Sequence, residues 1–241
     1  MKKKFFFTFI FINSIFISVN NKIIAQTHSN FWSRLSLNKK ISSRYKFDLE
    51  LQYRRQNGFE NNNPVFEPLL YSLRTWVVYQ PKKEIQFSIS PFAYFYHFPI
   101  INNASDVSKP FLKEYRIAFA MDNKIANYKK YVFQNRVGLE YRIFQPTINN
   151  VVRFREKLAM KYAFTSKWSL FVYDEMLLNL CGVARNHMFD HNRLGWNVNF
   201  NITPKYKIEA GYIFITRLQR TAITNVEENN FLLNFTYFFT N

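Results

Sequence analysis

From Arg44 to Arg54 apolar and polar residues alternate without a fault. Tyr45, Phe47, Leu49, Leu51 and Tyr53 occupy one phase, and Lys46, Asp48, Glu50, Gln52 and Arg54 the other. Successive side chains of a strand point to opposite faces, so this segment separates apolar from charged groups across a sheet. Ten further segments follow the same period. The eleven lie at about 30–38, 44–55, 68–80, 84–97, 111–121, 130–143, 151–163, 167–179, 192–203, 205–217 and 229–239. The apolar phases are Leu69, Tyr71, Leu73, Val77 and Tyr79 in the third, and Ile85, Phe87, Ile89 and Phe95 in the fourth. Tyr115, Ile117, Phe119 and Met121 serve the fifth, Leu194, Trp196, Val198, Phe200 and Ile202 the ninth, and Phe231, Leu233, Phe235, Tyr237 and Phe239 the last.

The connections alternate in length. Short ones fall at 39–43, 81–83, 122–129, 165–166 and 204, and longer ones at 56–67, 98–110, 145–150, 180–191 and 218–228. Transmembrane β-barrels treat their two faces this way, and their strands are apolar toward lipid and polar toward the lumen. Eight steps from Tyr45 to Tyr53 cover about 26 Å of strand, or roughly 20 Å along the normal once tilted, close to the apolar band of such barrels. Tyrosines also bracket the third strand (Tyr71, Tyr79) and the sixth (Tyr131, Tyr141). The pattern predicts an all-β, antiparallel up-and-down transmembrane barrel of ten to twelve strands. Bacterial single-chain barrels have even strand numbers. The segment around Phe31, Leu35 and Leu37 is therefore surplus: it pairs at the seam, or a twelfth strand lies in the N-terminal stub or in 180–191. A soluble periplasmic β-sandwich, with the apolar phases meeting in a core, is the competing architecture.

The ends and the composition favour export. Residues 1–25 read as a secretory signal peptide, with Lys2, Lys3 and Lys4 before an apolar run and Ala25 at a cleavage position, leaving 26–241 as the barrel domain. No later run approaches the ~18 apolar residues of a spanning helix, but barrel strands escape that test. Aromatic residues make up 20% of the chain, as expected where rings line two membrane interfaces. Cys181 is the single cysteine, which excludes an internal disulfide. The formal charge of +17 falls to +13 when Lys2, Lys3, Lys4 and Lys22 leave with the leader. An exported basic protein points to outer-membrane lipid, small anions or its own carboxylates as partners rather than nucleic acid. Outer-membrane localisation implies insertion by barrel-assembly machinery, and a monomer is the default.

Several ordered phrases carry a family resemblance. They are Phe31-Trp32-Ser33-Arg34-Leu35-Ser36-Leu37-Asn38-Lys39-Lys40, Tyr53-Arg54-Arg55-Gln56, Phe133-Gln134-Asn135-Arg136, Arg153-Phe154-Arg155, Tyr173-Asp174-Glu175 and Asn192-Arg193-Leu194. In order and spacing the chain resembles the bacterial outer-membrane proteins grouped as DUF2490, over nearly all of the mature sequence. The resemblance implies an exported barrel without an assigned activity, and it supplies no catalytic residues.

The polar phases populate a lumen. Arg116, Arg136, Arg142, Arg153, Arg155, Lys157, Lys161 and Arg193 are its basic, anion-facing candidates, and Asp48, Glu50, Glu114, Glu140, Glu175 and Glu209 their acidic partners. Two readings compete. A narrow barrel fills its interior with paired charges, or a basic surplus selects anions. Arg153, Arg155, Lys157 and Lys161 share one strand face with few acids nearby in sequence, which makes them the leading anion site. An enzyme reading rests on Asp174, His187, Asp190 and His191, placed by the pattern in or beside a polar loop. No metal-ligand spacing, phosphate loop or nucleophile elbow accompanies them, so the chain reads as a non-enzyme without cofactor or metal. Glu156 and Asn135 break the pattern by falling in apolar phases. A β-bulge, a position near the membrane interface, or a covering subunit would each account for them, the first two being preferred.

Overall fold

The computed structural model describes residues 27–146, 148–218 and 225–239. The proposed leader lies outside them. Eleven strands form: β1 (Thr27–Lys40), β2 (Tyr45–Gln56), β3 (Glu67–Lys82), β4 (Ile85–His97), β5 (Leu112–Tyr128) and β6 (Tyr131–Gln145). They continue as β7 (Ile148–Ala163), β8 (Trp168–Cys181), β9 (Phe189–Thr203), β10 (Tyr206–Leu218) and β11 (Asn225–Phe239). Each pairs with its neighbours in chain order and the sheet closes on itself, which rules out the sandwich.

Neighbours in sequence pair antiparallel, but the closing pair, β1 with β11, is parallel from Thr27↔Glu227 to Lys39↔Phe239. Geometry requires this: an odd number of alternating strands can close only by bringing two of the same direction together. The surplus segment is thus a seam strand. Asn30, buried, donates its Nδ2 to Asn230 Oδ1 across that seam at 3.0 Å, and Asn230 donates to the Ile213 carbonyl at 3.1 Å. A pair of buried amides that satisfy one another favours this register, because a slipped one would leave them unpaired.

Period two survives in the burial. Leu51, Tyr71, Ile89, Ile117, Phe119, Leu194 and Leu233 are exposed on the outer wall, while Arg74, Glu114, Glu140 and Arg153 are buried within. Tyrosine pairs stack at the two ends, Tyr45 on Tyr79 (5.0 Å between centroids) and Tyr53 on Tyr71 (4.8 Å). One rim carries the turns 41–44, 83–84, 129–130, 164–167 and 204–205 and is called the turn rim; the other is the loop rim.

The structure corrects several expectations. β5 runs on to Tyr128, so the eight-residue connection expected at 122–129 is a two-residue turn with Lys129 at φ 53°. β7 begins at Ile148, so 145–150 is not a long loop. In β4 an extra residue at Pro91–Phe92 shifts the register against both neighbours. Pro91 offers no N–H to a ladder, and the Phe92 carbonyl accepts from Thr75 Oγ1 at 3.0 Å instead. Beyond this bulge the phase inverts, and Phe95, expected on the outer wall, points into the lumen at 5% exposure.

Glu156 and Asn135 do face outward, and no bulge explains them. β6 and β7 pair without interruption from Tyr131↔Tyr162 to Arg142↔Val151, and Glu156 sits in mid-strand. Asn135 donates to Glu156 Oε1 at 3.0 Å, and Asn192 donates to Asp174 Oδ1 at 2.9 Å two strands away. The outer wall therefore carries a small polar patch across β6–β9, in which each carboxylate has an amide partner.

Candidate functional site: a charged lumen

Inward side chains near the middle of the barrel form one connected ion-pair network. Glu114, fully buried, accepts from Arg116 Nε and Arg142 Nε, each at 2.5 Å, and contacts His97 Nε2 at 2.8 Å. His97 reaches this place because the β4 bulge turns it inward. Glu140 accepts from Arg153 Nη2 (2.5 Å), Arg155 Nη1 (2.7 Å) and Arg74 Nη2 (3.2 Å), with Arg116 Nη1 at 3.7 Å. Glu175 takes Arg155 Nη2 at 2.6 Å and Arg193 Nη1 at 3.2 Å. Asp190 takes Arg153 Nη1 at 2.6 Å, with Arg142 Nη1 at 3.8 Å and His191 Nδ1 at 3.2 Å. Buried charges persist only when so paired and hydrogen-bonded, and bidentate forks suit arginine to the task.

Smaller groups surround it. Arg136 Nη1 donates to both Asp122 carboxylate oxygens, Arg34 bridges Glu50 (3.6 Å) and Glu209 (3.5 Å), Lys207 also holds Glu209, and Arg217 meets Glu228 at 2.6 Å. Asp48 lies on the same face nearer the turn rim, opposite Asn38 and Trp76.

Several lumen cations have no carboxylate within 4 Å among the described residues: Lys46 and Lys124 near the turn rim, and, deeper, Arg54, Lys157 and Lys161. The Arg54 guanidinium stacks 3.5 Å from the Trp32 ring centre and donates to Gln52 Oε1 at 2.9 Å. Lys157 lies 5.3 Å from the Tyr173 ring. The interior is therefore not wholly filled. A cavity of about 520 Å³ on the turn-rim side is lined by Lys157, Lys161, Tyr173 and Asn197, and one of about 490 Å³ on the loop-rim side by His28, His191, Phe98 and Arg217. Arg54, Phe95, Arg116 and Arg193 line both, so they form the waist between two vestibules.

The expected basic and acidic residues all face the lumen, but the leading anion site divides. Arg153 and Arg155 are neutralised by Glu140, Glu175 and Asp190 from other strands, so that face of β7 keeps only Lys157 and Lys161 free. Sequence proximity says nothing about acids brought in by neighbouring strands.

The enzyme candidates do not converge. Asp174 points out of the barrel, and His187 sits in a 3-10 turn at the loop rim (Arg185–His187). Asp190 and His191, expected in a solvated loop, are buried at the start of β9, where a bulge opposite Leu177/Leu178 turns both inward. Among the described residues no Ser, Thr, Tyr or Cys side chain lines their vestibule. Among the described residues no cluster of three or more His, Cys, Asp or Glu is placed to hold a metal ion.

Trp32 and Arg34 lie in the segment left surplus by an even strand count, and Asp122 and Glu228 in stretches expected as connections (122–129 and 218–228) that the structure makes strand, so parity alone does not assign them. His97 needed the bulge, and nothing but Pro91 announced it.

The family model described as Protein of unknown function (DUF2490) matches residues 29–226. The chain belongs to the DUF2490 family. The phrases around Trp32, Arg54, Arg153, Glu175 and Arg193 are thus the lumen of a DUF2490 barrel. No curated protein matches the chain. Among solved structures it is similar to a bacterial polysaccharide outer membrane secretin (TM-score 0.46, 10% identity, 80% of this chain and 63% of that one). It is also similar to OmpT, an outer membrane protein of Vibrio cholerae (TM-score 0.37, 8% identity, 75% of this chain and 58% of that one). The chain spans less than two thirds of either.

Proposed function

We propose that this protein is exported by its 1–25 leader, is inserted by the barrel-assembly machinery, and lies in the outer membrane as a monomeric, non-enzymatic barrel admitting small anions. The observation that carries the anion reading is the uneven pairing of lumen charge. Carboxylates of the network each hold two or more cations, whereas Arg54, Lys157 and Lys161, spread from the waist into the turn-rim vestibule, hold none. Cations left free in a low-dielectric bore favour anions over cations at every step of passage. The outer wall supports the membrane setting: exposed Ile117, Phe119, Leu139, Leu194 and Phe231 form an apolar band that water would not tolerate at this extent. Its aromatic rims match those of membrane barrels.

Fractionation tests the setting. The mature protein should sediment with the outer membrane and run faster on a denaturing gel unheated than boiled. Recovery in the soluble periplasmic fraction, with no shift on heating, would remove the reading. Activity as a hydrolase would require loss of turnover in H191A with the fold intact.

A further inference from the structure

The loop-rim vestibule has two chemically distinct walls. One is apolar, built by Leu70, Phe95 and Phe144 from β3, β4 and β6, and by Phe98, Pro99 and Ile100 from the β4–β5 connection that roofs it. That roof is fastened in place. Gln56, 1% exposed, donates Nε2 to the Pro68 and Pro99 carbonyls at 3.0 and 2.7 Å and accepts from the Ile101 N–H at 3.2 Å. The facing wall is cationic, with Arg54, Arg193 and Arg217 beside His28 and His191.

The two walls ask for different parts of one ligand. Arg116, Arg142, Arg153, Arg193 and Arg217 each reach a carboxylate within 4 Å. Arg54, half-buried at the waist, reaches none among the described residues, and a charge held in the lumen without a counter-charge is costly. Among the described residues neither ring nitrogen of His28, nor Nε2 of His191, finds a hydrogen-bond partner, though both side chains are buried. The Arg54 guanidinium is therefore the donor in excess where the apolar wall begins, and the enclosed volume suits a small organic molecule.

We infer that this vestibule binds an amphipathic anion, with a carboxylate or phosphate head on Arg54 and an apolar body against Phe95, Phe98, Ile100 and Phe144. The inference rests on the anion-admitting lumen proposed above and adds the class of solute that such a lumen selects. The planar guanidinium fork matches a carboxylate or phosphate edge to edge, and the aromatic wall supplies contact that an inorganic ion cannot use.

The test titrates the refolded mature protein with 4-phenylbutyrate, inorganic phosphate and 4-phenylbutanamide, followed by calorimetry and by the fluorescence of Trp32, which lies under Arg54. 4-Phenylbutyrate should bind saturably and at least about tenfold tighter than phosphate or the neutral amide. R54Q should weaken it about tenfold or more, R54K should recover part of the loss, and F98A should weaken 4-phenylbutyrate while leaving phosphate unchanged. Heat-modifiability equal to wild type establishes that each variant folds. Equal affinity for phosphate and 4-phenylbutyrate, or an R54Q variant that binds as wild type does, would overturn the inference. Anion current without 4-phenylbutyrate binding removes this site and leaves the permeation reading. Binding without current does the reverse.

Discussion

Replacing Glu140 with Gln tests whether the arginine network is held in a dry interior or a flooded one. Glu140 is 2% exposed and serves Arg74, Arg116, Arg153 and Arg155. Three of these keep another carboxylate: Arg153 keeps Asp190 at 2.6 Å, Arg155 keeps Glu175 at 2.6 Å, and Arg116 keeps Glu114 at 2.5 Å. Arg74 has no second carboxylate within 4 Å among the described residues and is left with the face of Trp76, 4.2 Å away. The loss is thus concentrated on one orphaned buried guanidinium, for which breaking a buried pair costs about 3–5 kcal/mol. R74M should cost less, about 1–2 kcal/mol, because Glu140 retains its other arginines. The double variant E140Q/R74M should then cost about 2–3 kcal/mol less than the sum of the single changes, since the orphan is gone. Urea unfolding from lipid vesicles, read by tryptophan fluorescence, measures all three. An E140Q shift below about 1 kcal/mol with no coupling to R74M would refute the reasoning, because that is how a water-screened surface pair behaves.

Three further outcomes follow from the geometry. A Cβ built on Gly195 would stand 2.5 Å from the Tyr173 ring, so G195V should displace Tyr173 in the turn-rim vestibule and cost about 1–3 kcal/mol in the same unfolding assay. The double change N135L/E156L removes one amide–carboxylate pair from the outer wall; in a bilayer it should stabilise by roughly 1–2 kcal/mol, and a loss of stability would mean that a partner covers the patch. On the β4–β5 loop, Asp106 caps a 3-10 turn (Ala104–Ser108), accepting from the Asn102 and Asn103 N–H groups at 2.8 and 2.9 Å and pairing with Lys109 Nζ at 2.5 Å. The Lys109 hydrogen bond holds its carboxyl below the ordinary aspartate value, opposed by burial and helped by the two backbone donors. A depressed folded pKa means that the stabilisation is complete above the unfolded value near about pH 4 and is lost as pH falls through the lower folded value. Protease cleavage within 98–110 should therefore rise only in strong acid for wild type, and already at neutral pH for D106N.

Strand parity carried most of what could be read without coordinates. A fixed period of two assigns each side chain to a face once the strand is recognised, which is why Asp48, Glu114, Glu140, Arg155, Lys157 and Arg193 all lie inside as expected. Parity fails where hydrogen bonding inserts a residue. The bulge at Pro91–Phe92 sent Phe95 and His97 inward, and the one at the start of β9 buried Asp190 and His191. Parity is also silent on neighbours: that Glu140 reaches Arg74, 66 residues away, follows from barrel closure and stagger, which no local pattern encodes. The parallel seam is a different case. It follows from counting eleven alternating strands, provided the first is accepted as a strand at all.

The central claim is that free lysines and Arg54 make the lumen an anion path, and the reversal potential across a planar bilayer tests it most directly. Under a KCl gradient the inserted mature protein should give a reversal potential of the sign set by chloride, and K157Q/K161Q should move it toward zero at unchanged fold. A folded, inserted barrel that passes no current, or one whose reversal potential follows potassium, would contradict the account.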